Sequence, residues 1–135
     1  MKKIVTCLLL SAGVIALSLC PSQAQQRKGD IKAVPLVTKD VTGVPGKEMT
    51  IIRIEVPAGA DSGLHTHPGD EHGTVLEGSL LVKVGDADYK PVAAGETFYA
   101  PPNTPMGIKN TSDKPAKVIN VLILEKGKPR STPVQ

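Results

Sequence analysis

The sequence has no tryptophan, one phenylalanine and two tyrosines among its 135 residues. Any pocket it encloses is therefore walled by side chains of modest bulk, which suits a small organic molecule better than a sugar or a polymer. Cysteine is nearly as scarce. Both thiols, Cys7 and Cys20, sit in the only long apolar run, "IVTCLLLSAGVIALSLC", which follows Lys2 and Lys3. A basic start, an apolar stretch from Ile4 to Leu19, and the small residues Ser22 and Ala24 before a cut after Ala24 make a secretory signal peptide. The apolar run is shorter than the roughly 20 residues needed to span a bilayer, and Leu19 stands where a lipoprotein signal needs a small residue. The expectation is residues 1–24 as a signal peptide and a periplasmic or secreted product with no membrane attachment after cleavage. Such a product has no thiol, so no disulfide can hold it, and its stability must come from an apolar core or a core plus a metal. A charge excess is also missing. Loss of Lys2 and Lys3 from the 16 basic residues leaves 14 against 13 acidic ones, a net charge of +1, and nothing points to a nucleic-acid partner.

Helical periodicity is absent as well: 13 glycines and 12 prolines interrupt every candidate before it completes a few turns. What remains is β. "EMTIIRIEV", "SLLVKV" and "KVINVLILE" alternate or are rich in β-branched residues, and turn signals such as "TGVPGK", "PAGADSG", "HPGD", "LEGS", "AAGE" and "PPNTP" separate them. This predicts one all-β domain, an antiparallel sandwich or barrel. Residues 25–50 read as an N-terminal arm and first strands, 51–125 as the barrel, and 126–135 as an extended or loose tail.

All three histidines fall in "HTHPGDEH", residues 65–72. His65 and His67 are two apart and share one face of a strand. Pro68, Gly69 and Asp70 turn the chain, and Glu71 opens the next strand, where its carboxylate can lean back toward both rings. Two imidazoles and one carboxylate form a face for a divalent metal with coordination positions left open. The competing reading is a polar surface turn whose histidines bind nothing, and spacing alone leaves both standing. His72 follows Glu71 and should face the opposite side, as a surface residue, unless a bulge swings it inward. Asp70 and Glu77 read as turn positions.

Two separated motifs make the sequence resemble the cupins. Gly59, His65, His67, Glu71 and Gly78 fill the first cupin motif without a gap. Gly95, Pro101 and Asn110 fit the second, where Asn103 replaces a glycine and Met106 replaces a histidine. The resemblance implies a double-stranded β-helix, the cupin jelly-roll barrel, with a divalent ion held in its mouth by His65, His67 and Glu71. Iron, manganese, nickel or zinc would suit such ligands, copper less so. Asn103 is a mild departure, since asparagine tolerates the positive φ that glycine supplies. Met106 removes the usual fourth ligand, and three readings follow: a three-ligand site with an extra opening, a preference for soft Cu(I), or a binding module with a decayed metal site. The expected pocket wall is drawn from Met49, Ile52, Ile54, Leu64, Val75, Phe98, Tyr99, Met106 and Ile108, with about half facing inward. Met106, Phe98 and Tyr99 are the substrate-pocket candidates, Tyr99 being a possible proton donor though a strand tyrosine more often packs. The implied function is metal binding with action on, or binding of, a small organic molecule; the alternative is a non-catalytic small-ligand or copper-binding cupin. The resemblance also implies a homodimer, for which "DIKAVPLVTK" could supply the pairing strand.

Overall fold

The computed structural model describes residues 29–134; the expected signal peptide lies outside the described residues. Ten strands follow one another: β1 (Lys32–Asp40), β2 (Lys47–Val56), β3 (His65–Thr66), β4 (Gly69–Glu77), β5 (Ser79–Val84), β6 (Lys90–Ala93), β7 (Thr97–Ala100), β8 (Met106–Lys109), β9 (Ala116–Glu125) and β10 (Thr132–Pro133). They form two five-stranded sheets, ordered β1-β2-β9-β4-β7 and β10-β3-β8-β5-β6, and every pairing is antiparallel. No helix occurs among the described residues. The all-β expectation holds, and the two sheets make the double-stranded β-helix.

Alternation decides which side chains go inside. On β9, Ala116, Val118, Asn120, Leu122 and Leu124 are buried while the residues between them are partly exposed. On β4 the buried set is Gly69, Glu71, Gly73 and Val75. Strand β2 pairs with β9 along its whole length and turns Thr50, Ile52 and Val56 inward. The apolar interior is divided in two. A larger cluster around Val56, Val75, Leu80, Met106, Ile108 and Val118 fills one end, with Phe98 packed against it. A smaller one joins Ile52, Leu122 and Leu124. Burial of this apolar surface, at roughly 25 cal/mol per Å², is what holds the described domain together. No cysteine lies within it.

Asn110, the last residue of the second motif, has a structural task. Its Nδ2 donates to Val56 O at 3.0 Å and Lys114 O at 2.8 Å, and its Oδ1 accepts from Ser112 N at 3.0 Å. One buried amide thus ties the β8–β9 turn to the end of β2, satisfying groups that would otherwise be orphaned. The tail expected to be extended or loose is extended and paired: Thr132 lies opposite Thr66 and Pro133 opposite His65. At the other end, β1 is a nine-residue edge strand with a register shift between Pro35 and Val37, and all its residues are exposed.

Candidate functional site

A cavity of about 540 Å³ opens inside the barrel. Ile52 and Ile54 from β2, Leu64 before β3, Met106 and Ile108 from β8 and Leu122 from β9 supply its apolar wall; His65, His67, Glu71 and Asn120 form one polar patch, and Asp30, Asp61, Ser62, Arg130 and Ser131 add polar groups elsewhere on the lining. All three sequence-predicted ligand candidates border this cavity. His65 lies on β3 and His67 just beyond it; Pro68 ends the short strand, having no N–H to continue the ladder. Glu71 enters two residues into β4 on its buried face and is 2% exposed; His67 is 7% exposed.

Hydrogen bonds set the orientation of the donors. The Nδ1 of His67 lies 2.6 Å from the Arg130 carbonyl, and that of His65 lies 3.2 Å from the Gly63 carbonyl. A carbonyl only accepts, so each Nδ1 carries a proton, and each neutral ring then presents a lone pair on Nε2. The rings meet edge to face, with centroids 4.9 Å apart. Nε2 of His67 faces Oε2 of Glu71 at 3.2 Å, while Asn120 Nδ2 donates to the other oxygen, Oε1. Burial lowers the pKa of His65. Burial pulls His67 the same way, but the hydrogen bond and charge of Glu71, with the Arg130 carbonyl, outweigh it and leave its pKa raised.

Asn120 Oδ1 is buried without a hydrogen-bond partner, and the buried His67 Nε2 and Glu71 Oε2 have only each other, 3.2 Å apart. An unpartnered buried amide oxygen is costly, and its place beside the histidine–carboxylate pair on the cavity wall points to an occupant that would satisfy it. Imidazole nitrogen, carboxylate oxygen and amide oxygen are all donors to a divalent ion. The donor set fits in kind but is not gathered. Among the described residues, no group of three or more His, Cys, Asp and Glu is placed to enclose an ion as it stands.

Met106 is 1% exposed, lines the cavity, and is paired with His65 across β3 and β8, which puts the two side chains on the same face. The other two substrate-pocket candidates belong elsewhere. Tyr99 is opposite His72, outside the barrel with 47% exposure. It donates to Asp70 at 2.7 Å and its ring lies 4.8 Å from the His72 ring. Phe98 is opposite Gly73 and packs against the larger apolar cluster rather than lining the cavity. Its ring occupies the space a Gly73 side chain would need. Register and parity explain both corrections: consecutive residues on β7 point to opposite sides, and the inward one meets the filled end of the barrel. Met49 and Val75 do not line the cavity either, whereas Ile52, Ile54, Leu64 and Ile108 do. His72 is exposed, as expected. Asn103, which replaces a motif glycine, takes the positive φ that position needs, at 56°.

Sequence reasoning missed two participants. Asn120 carried a readable signal, a lone amide at an inward position in the apolar strand "KVINVLILE". Arg130 carried none, because nothing local says that the tail returns to the histidines.

A family model described as "Cupin domain" matches residues 52–122. An H2HPP isomerase from Bacillus subtilis is 33% identical over 69 residues, which are 51% of this chain and 29% of the relative. The chain thus spans under a third of that protein's length. A double-stranded β-helix protein from Klebsiella pneumoniae superposes with a TM-score of 0.65 at 16% identity, over 79% of this chain and 86% of its own. An oxalate oxidase in complex with the substrate analogue glycolate gives 0.62 at 24% identity, over 82% and 57%. With the family match over half its length and both sheets in place, the chain belongs to the cupin family.

Proposed function

We propose that the protein is an exported cupin that holds a divalent metal through His65, His67 and Glu71 and acts on a small organic molecule in the adjoining cavity. The observation that carries this reading is that His65, His67 and Glu71 border one cavity, with the unpartnered Asn120 Oδ1 beside them. The activities of an isomerase relative and of an oxidase of the same fold support a catalytic use. When bound, the ion would supply Lewis acidity or an activated water. The chain's own residues do the rest. The Gly63 and Arg130 carbonyls fix which ring nitrogens face inward, Asn120 restrains one oxygen of Glu71, and the apolar wall excludes water around a small ligand. Asp30, Asp61 and Arg130 also border the cavity; Tyr99, outside the barrel, takes no part.

A second reading, a non-catalytic module for a small ligand or copper, is favoured by one observation: the thioether of Met106 lies on the same face as His65. Metal analysis of untagged protein purified without chelator separates the readings. Stoichiometric iron, manganese, nickel or zinc is the expected result, copper would favour the second reading, and no metal would remove the first. His65→Ala and Glu71→Ala should each lower metal occupancy and lose thermal stability only when metal is present. At ~100-fold excess over the dissociation constant, that stabilisation is about 2.7 kcal/mol. Asn110→Ala, which strips hydrogen bonds from the turn after β8, should instead lose about 2–3 kcal/mol with or without metal. Equal losses for Glu71→Ala under both conditions would assign that carboxylate to packing.

A further inference from the structure

The strand that carries the first histidine has little ladder of its own with the barrel, which instead ties its flanks, Ser62 N to Ile108 O at 3.0 Å and Asn103 N to His67 O at 2.7 Å. β3 is two residues long, and its pairing with β8 is limited to His65 opposite Met106. On its other side it has two pairs, Thr66 with Thr132 and His65 with Pro133, and Val134 N donates to Leu64 O at 3.0 Å. The same C-terminal segment places the Arg130 carbonyl 2.6 Å from Nδ1 of His67. Arg130, Ser131 and Pro133 also line the cavity. Yet neither apolar cluster contains a residue beyond Leu124. The segment contributes to the site while contributing little to the core.

We propose that the C-terminal segment around Arg130 to Val134 is a positioning element for both histidines: β10 sets the register of the strand bearing His65, and the Arg130 backbone carbonyl selects the His67 tautomer that presents Nε2 to the cavity. This rests on the metal reading above for its purpose, but the tautomer is a property of the metal-free protein and can be read without it. The mechanism is specific. A ring free of that carbonyl is able to carry its proton on Nε2, and a protonated Nε2 cannot ligate. Outer hydrogen-bond partners of metal-bound histidines are known to govern affinity by about 10- to 100-fold. Because the partner is main chain, substitution of the Arg130 side chain leaves the carbonyl in place.

The test compares the full chain with a chain truncated after Lys128 and with Val134→Pro, which removes the donor to Leu64 but keeps the rest of the segment. Side-chain nitrogen NMR of metal-free protein, at a pH where both imidazoles are neutral, reports which ring nitrogen bears the proton. Titration with Zn(II) and Mn(II) reports affinity, and thermal unfolding in chelator reports the fold. The full chain should show His67 protonated on Nδ1. Truncation should shift the proton toward Nε2 and weaken metal binding about tenfold or more, with metal-free unfolding little changed; Val134→Pro should move both readouts the same way by less. If truncation unfolds the domain, Val134→Pro alone decides. An unchanged tautomer, or unchanged affinity despite a changed tautomer, overturns the proposal. A tautomer shift in a protein whose full chain binds neither ion keeps the positioning role and removes the metal reading.

Discussion

At the scale of single residues, the proposed metal would compete with a proton for His67. In metal-free protein His67 lies between the Arg130 carbonyl and the Glu71 carboxylate, so its charged form is favoured and its pKa rises above 6.5. The sign follows from linkage. A raised folded value contributes stability that is fully present below the unfolded pKa and is lost as pH rises through the folded one. A metal needs the neutral ring, so its contribution grows over the same interval. His65, lowered by burial, acts below 6.5 and in the opposite sense: stability is lost there as pH falls. In chelator the melting temperature should therefore fall as pH rises through the His67 titration, and His67→Gln should flatten that slope. The difference between metal-loaded and metal-free melting temperatures should widen across the same range; a constant difference would mean that no proton leaves on binding. Met106→His makes a separate demand. With its side chain beside His65, an imidazole there adds a nitrogen donor, and affinity for Mn(II), Fe(II) or Zn(II) should rise at least about tenfold, ~1.4 kcal/mol. Titration showing no change for any of these ions would mean that position 106 does not face the ligands. The histidine pair and Glu71 were legible in the sequence because period-two spacing and a turn suffice to place them. Arg130 was not, since its contact with His67 is made across 63 positions of chain.

Among the elements, β1 is the one whose sequence and surroundings disagree. Val34, Leu36 and Val37 are between 40% and 49% exposed, and β1 pairs with β2 on one side while forming the outer edge of its sheet on the other. An apolar edge strand is a template for another strand, which supports the expected homodimer through this segment. Leu36→Lys combined with Val37→Glu should convert a dimer to a folded monomer in sedimentation experiments. Wild-type protein that is already monomeric at micromolar concentration would dismiss the pairing. The long strands β2 and β9 were readable from alternation alone. Phe98 and Tyr99 were misread because parity within β7 cannot be fixed without its partner: only the register against Gly73 and His72 shows which side is inside and that the inward side is already filled.

For the molecule as a whole, the export reading makes a direct demand on mass. Protein recovered from outside the cytoplasm should begin at Gln25, as glutamine or its cyclised pyroglutamate form, and an intact mass that retains Cys7 would refute it. The fold class was legible because glycine and proline punctuation leaves only short strands, and two motifs fix how they are wound. The meeting of the first and last described segments was not legible: Gly29 to Ile31 and Arg130, Ser131 and Pro133 all border the cavity, and segments far apart in sequence leave no local pattern of their proximity. That junction separates what keeps the domain folded from what orients its histidines. A protease that trims the tail back to Lys128 would leave both apolar clusters intact while removing the Arg130 carbonyl and the strand opposite His65.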